Sequence, residues 1–174
     1  MGRCLKALIV EQIYWANCVI LNLEKTIMEK RKIHTLLGFD FGMKRIGVAV
    51  GQTVTKTARS LTTLNSSQGV PPRDKLHKLI KTWQPSVLIV GIPLNMDGTE
   101  QPLTKAARQF INLLEQQFNL PVYGIDERLS TQDARERLFN EGGYKALKNG
   151  QVDGVAAQLI LQNWLTLLAD HQEE

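Results

Sequence analysis

Cysteine is nearly absent from this sequence, no apolar run is long enough to cross a membrane, and no segment repeats another. Two cysteines in 174 residues, Cys4 and Cys18, sit near the N-terminus. They fit neither a zinc-ligand spacing nor a disulfide framework, so a reducing, cytoplasmic setting is the simplest inference. The most apolar stretch, Ala7 to Leu23, is interrupted by Glu11, Gln12, Asn17 and Asn22. It falls short of the roughly 18 unbroken residues that a membrane span requires. No small-residue cleavage site follows it, which argues against a secretory signal. No membrane partner is expected. Heptad runs and low-complexity tracts are missing as well.

What remains is an ordinary globular composition, with 43% apolar and 22% charged residues. That is enough for one domain with a real core and an appendage. Twenty-one basic residues against 17 acidic give a net charge of +4 and a pI near 9.1. This mild excess suits a polyanionic partner without requiring one. Leu5, Leu8, Ile9, Ile13, Ala16, Val19, Ile20 and Leu23 follow helical spacing. Met28 then opens the charged segment MEKRK. The expectation is an added N-terminal segment over residues 1–27, helical or disordered, and a compact domain over residues 28–174.

From residue 35 short apolar runs alternate with turn signals. Leu36–Phe41 and Ile46–Gly51 read as strands joined by the hairpin Gly42-Met43-Lys44-Arg45, and Thr57–Leu64 as a third, antiparallel strand. Arg73–Trp83 carries Leu76, Leu79, Ile80 and Trp83 at helical spacing and is stopped by Pro85. The continuous run Val87–Val90 suits a strand covered on both faces. A helix over Leu103–Phe118 and a short strand over Pro121–Asp126 follow. Ser130 with Asp133 resembles a capping box opening another helix to Glu141. The last helix opens near Asp153 and runs to about Ala169, with Val155, Ala156, Leu159, Ile160 and Leu167 expected inward. Early hairpins imply antiparallel pairing and later strand–helix alternation implies parallel pairing. The predicted class is α/β, a mixed five-stranded sheet flanked by helices.

Asp40 ends the first strand among Leu36, Leu37, Phe39 and Phe41. A carboxylate there costs free energy unless a cation or hydrogen bonds offset it. Gly38, Gly42 and Gly47 clear the space around it for a backbone, a metal or a phosphate. Glu127 stands in a similar position past the strand Val122–Ile125, and Asp153 stands at the mouth of the last helix, where the helix dipole favours negative charge. Strands that share a direction end at one edge of the sheet, where α/β sites form, so the three could converge. Carboxylates gathered there would hold Mg²⁺ or Mn²⁺. Two such ions about 4 Å apart can activate water and stabilise the leaving oxygen in phosphodiester cleavage. Each residue also has an ordinary reading. Asp153 is a good N-cap worth about 1 kcal/mol, and Glu127 and Asp126 could pair with Arg128 at the surface. Asp97, in Met-Asp-Gly, reads as a turn residue.

The segments GFDFGMKRIGVAV, IVGIPLNMDGTEQ, DERLSTQDAR and GGYKALKNGQVDGVAA, in this order and spacing, resemble the YqgF family. This family is also called RuvX-like, the group of Holliday junction resolvases and pre-16S rRNA nucleases. The resemblance covers roughly residues 35–168 and implies an RNase H-like fold. It also implies a divalent-metal nuclease that processes the 5′ end of the small-subunit rRNA precursor. Asp40 matches the first metal carboxylate, Glu127 the acidic residue of the DER motif, and Asp153 the carboxylate of the last helix. Two positions depart from the pattern: Gln52 replaces a common acidic residue, and Gly154 replaces a common serine, which would loosen the helix start.

With a nucleic acid as the implied partner, Lys44, Arg45, Arg59, Arg128, Lys145 and Lys148 become candidates for phosphate contact, and Tyr144 for stacking on a base. Their ordinary reading is solvated surface charge. The glycine-bounded loop 142–150 suits a phosphate-gripping segment best. Pre-rRNA, precursor ribosomal particles and branched DNA are the partners implied, with symmetric junction cleavage calling for a homodimer rather than a monomer. Two other classes compete. An actin-like or sugar-kinase ATP-binding protein would need a second domain for which this chain lacks length. A silent nucleic-acid-binding module would have no need of three carboxylates.

Overall fold

A computed structural model describes residues 35–127 and 152–170. The N-terminal segment, the helix expected from Ser130 and the loop 142–150 lie outside the described residues. The elements are β1 (Thr35–Asp40), β2 (Arg45–Gln52), β3 (Thr57–Asn65), α1 (Arg73–Trp83), β4 (Val87–Ile92), α2 (Pro102–Phe118), β5 (Val122–Asp126) and α3 (Val152–Asp170). They form a five-stranded sheet in the order β3-β2-β1-β4-β5. The β1–β2 and β2–β3 pairs are antiparallel, whereas β1–β4 and β4–β5 are parallel. The mixed sheet is the one expected from the order of hairpins and crossovers. Among the described residues no helix is long and apolar enough to cross a membrane.

The two faces of the sheet are built differently. On one face Leu37, Phe39, Ile46, Val48, Leu88 and Val90 pack with Leu76 of α1 and Ala107, Phe110 and Leu114 of α2. The Phe39 and Phe110 rings meet edge to face with centroids 5.7 Å apart, a favoured aromatic geometry. The helices here are bounded by their own sequence. Gln84 takes a left-handed conformation (φ 43°) that closes α1 ahead of Pro85, and Pro102 opens α2 behind a Gln101–Thr104 capping box. The Met96-Asp97-Gly98 turn is as read: the Asp97 carboxylate accepts hydrogen bonds from the Thr99 N–H (2.9 Å) and hydroxyl (2.6 Å), and Gly98 has φ +86°.

On the other face α3 lies across β2, β1 and β4, burying Ala157, Ile160, Leu161, Trp164, Leu165 and Leu168. Glycines form its seat: a Cβ on Gly38 would stand 2.9 Å from Leu161 Cβ, and one on Gly51 3.1 Å from Leu165 Cδ1. Leu159 and Ile160 are buried as expected, but Leu167 is 40% exposed. The inward face is rotated from the expected one. The reason is physical: α3 is apolar around most of its circumference, so the periodicity of VDGVAAQLILQNWLTLL does not say which side turns inward.

Candidate active site

Asp40 closes β1, flanked by Gly47 of β2 as its cross-strand partner. On the other side Phe39 pairs with Val90, which brings Gly91 of β4 level with Asp40. Both glycines are occupied from above. A Cβ on Gly47 would collide with the Asp153 carbonyl oxygen, and one on Gly91 would stand 2.5 Å from Glu127 Oε1. The two further carboxylate-bearing residues are thus seated on the glycines either side of Asp40. Of the occupants expected over Gly38, Gly42 and Gly47, namely a backbone, a metal or a phosphate, the structure places the backbone there, with the Leu161 side chain beside it over Gly38. Helix α3 fills the space over Gly38 and Gly47, and the Arg45 carbonyl lies 2.5 Å from where a Cβ of Gly42 would stand.

The charges make themselves felt at Asp40, whose pKa is raised from 3.8 to about 7, first by burial and then by repulsion from Glu127 and Asp153. Asp153 lies 3.1 Å from Arg45 Nε through Oδ2. That oxygen is buried and takes no aligned hydrogen bond from the described residues, so the contact is ionic. Asp40 feels the charge of the other two carboxylates, although the described residues form no ready-made cluster of three ligands. Their donor chemistry nonetheless fits a hard divalent cation: all donors are carboxylate oxygens, and one of them, Asp153 Oδ2, is buried with no hydrogen bond from the described residues.

The basic candidates divide. Arg45 stands beside Asp153, and Lys44 is its neighbour in the hairpin. Arg59 belongs elsewhere. It pairs with Val50, and Val50 with Leu37, three rows along the sheet from Asp40. Its guanidinium sits 5.0 Å over the Trp83 ring, because an aromatic face within reach attracts the cation. Arg128, Tyr144, Lys145 and Lys148 lie outside the described residues. One further residue shares the row: Thr63 pairs with Gly47, and its buried hydroxyl has no hydrogen-bond partner among the described residues. Nothing in the TTLN run marks it, because the extra residue that shifts the β2–β3 register opposite Val48/Ala49 decides which way it faces.

The sheet order, the parallel β1–β4–β5 half and the carboxylates at its edge define a protein with an RNase H-like, resolvase-type fold. The fowlpox virus resolvase, solved in complex with substrate Holliday junction DNA, has a TM-score of 0.51 to this chain. That match has 12% identity and covers 77% of this chain and 98% of that one, a likeness of fold. Residues 34–167 match the RuvX family, described as Holliday junction resolvase, and the chain belongs to that family. A relative from Haemophilus ducreyi is 55% identical over 130 residues, covering 75% of this chain and 94% of the relative. One from Aeromonas salmonicida is 56% identical over 131 residues, with the same coverage. Both carry the name "Putative pre-16S rRNA nuclease".

Proposed function

We propose that this chain is a divalent-metal-dependent nuclease that hydrolyses phosphodiester bonds of RNA, maturing the 5′ end of pre-16S rRNA in the cytoplasm with precursor ribosomal particles as its substrate context. The observation that carries the reading is the seating of Glu127 and Asp153 on the glycines beside Asp40, with the rise in the Asp40 pKa to about 7. Three carboxylates that repel one another are unfavourable by themselves. Asp40, Glu127 and Asp153 would hold Mg²⁺ or Mn²⁺, which would offset that repulsion and supply activation of a water and stabilisation of the leaving oxygen of the scissile phosphodiester.

The chain's own residues have distinct tasks in this reading. Asp40 is fixed by the strand ladder and supplies the least mobile oxygen ligands. Glu127 reaches back over Gly91, and Asp153 arrives on the first turn of α3. Arg45, held 3.1 Å from Asp153, draws a phosphate to the side of the carboxylates rather than to their centre. Lys44 extends that grip, and Arg128, Lys145 and Lys148, which follow β5 in the sequence, serve the same purpose, with Tyr144 stacking on a base. The RNA substrate follows from the relatives' name; the family description and the fowlpox neighbour keep the four-way DNA junction as the second substrate to test.

The test is Mn²⁺- and Mg²⁺-dependent cleavage of single-stranded RNA, a pre-16S 5′-end mimic and a four-way DNA junction, by wild type and Asp40→Asn. The wild type should cut the pre-rRNA mimic and the variant should fall to background. Equal cleavage by both proteins would remove Asp40 from the mechanism. Preference for the junction would move the chain to the resolvase reading.

A further inference from the structure

Among the described residues β3 ends the sheet, so alternate N–H and C=O groups along it lack a strand partner there. Two glutamines of α3 take them. Gln162 Oε1 accepts from the Ala58 N–H at 2.9 Å, and its Nε2 donates to the Lys56 carbonyl at 2.9 Å. Gln158 Oε1 accepts from the Ser60 N–H at 3.1 Å, and its Nε2 donates to the Ala58 carbonyl at 3.0 Å. The spacing is what makes this pairing fit. Residues four apart rise ~6 Å along a helix, and outward-facing groups two apart on a strand lie ~6.8 Å from one another. Two side-chain amides therefore continue the sheet for four hydrogen bonds, and a shift of α3 by one residue breaks them all.

We propose that Gln158 and Gln162 are positioning residues of the candidate site: they lock α3 in one axial register on the sheet edge and so hold Asp153 beside Asp40. The role rests on the nuclease reading above. The close seating of α3 on Gly38, Gly47 and Gly51 also fixes its place, and the four directional hydrogen bonds add to it. The helix is apolar around most of its girth and lies on a glycine floor, and burial of such surface has no direction. Asp153 stands only five residues before Gln158 on the same rigid helix. Gly154 meets the same strand: a side chain there would collide with the Ser60 hydroxyl. The amides and the first turn thus grip neighbouring residues of β3. The departure at Gly154 seats the helix start against Ser60, where the sequence suggested a loosened one.

The experiment compares full-length wild type, Gln158→Met, Gln162→Met and the double variant, with Leu168→Ala as a control that opens a cavity under α3 far from Asp153. Methionine keeps the side-chain length and removes both polar atoms, and the single variants keep the comparison alive if the double one folds poorly. Three quantities are read well below Tm: amide exchange at Ala58 and Ser60, affinity for Mn²⁺ alone by calorimetry, and kcat and KM for RNA. The expected result is faster exchange at the two amides, Mn²⁺ affinity reduced roughly tenfold or more, and a lower kcat with KM for RNA unchanged. Leu168→Ala should lose stability and keep its Mn²⁺ affinity. Unchanged amide exchange in the double variant overturns the lock. Mn²⁺ affinity and kcat equal to wild type, or a loss that Leu168→Ala reproduces, overturns the positioning role. A wild type that neither binds Mn²⁺ nor cuts RNA overturns the nuclease reading and the positioning role with it; the amide result then separately decides whether the lock exists.

Discussion

At Asp40 the strand's apolar neighbours and the two nearby carboxylates act in the same direction, against ionisation. The folded-state pKa of about 7 lies above the ordinary 3.8, so between these values the folded chain holds a proton that the unfolded chain has released. Stability from this group is complete below about pH 4 and is lost as pH rises through about 7. Spread over that window the effect is on the order of 4 kcal/mol. Urea denaturation in EDTA should therefore show wild type weakening from pH 5 to pH 8, with Asp40→Asn lacking much of that slope and more stable at pH 8. A variant no more stable than wild type at pH 8 would contradict the burial argument. With Mn²⁺ present the cation competes with the same proton, so its affinity should rise with pH through about 7. Arg45 competes too, since its guanidinium already faces Asp153 at 3.1 Å. Its side chain is 57% exposed and such pairs are worth about 1 kcal/mol or less. Arg45→Ala should thus tighten Mn²⁺ binding by only about threefold while weakening RNA binding and flattening its salt dependence; an unchanged salt slope would count against phosphate contact.

At the scale of elements the site is a property of how α3 sits on glycines. Gly91→Ala would push on Glu127 Oε1 at 2.5 Å and Ile160 Cδ1 at 2.6 Å, both ends of flexible side chains. The expected outcome is a protein with nearly wild-type Tm and sharply reduced cleavage, because Glu127 must swing off its seat. Gly47→Ala would instead drive into the backbone of Asp153, so it should cost both stability and activity. Calorimetry beside a cleavage assay separates the two; equal losses of Tm would contradict the distinction. These seats explain what the sequence could and could not disclose. Asp40 was visible because a charge inside an apolar strand is anomalous on its own terms. The strands and α1 were visible because alternation, continuous apolar runs and Pro85 are local signals. The meaning of Gly47 was not, because the group that fills its space lies about a hundred residues on in the chain. The same holds for Arg59, whose aromatic partner Trp83 belongs to another element, and for α3, whose apolar girth hides its inward face. Gln158 and Gln162, two amides four residues apart in a mostly apolar helix, do not disclose the strand they meet either.

At the scale of the whole molecule, the sheet separates tasks by face. Large interlocking side chains of α1 and α2 cover one face, while on the other Gly38, Gly47, Gly51 and Gly91 let Leu161, the Asp153 backbone, Leu165 and Glu127 approach closely. All the described parts of that arrangement lie after residue 34. The family match also begins at residue 34, and His34–Glu174 is a compact unit in its own right. The Haemophilus ducreyi relative is matched over 94% of its length by 75% of this chain. A chain starting at Met28 should accordingly keep the Mn²⁺ affinity, kcat and Tm of the full chain. Limited trypsin digestion should cut first within the MEKRK segment and leave the rest whole. If trimming lowered Tm or kcat, or if residues 1–27 resisted trypsin as long as the sheet does, the N-terminal segment would have to be counted as part of the catalytic domain.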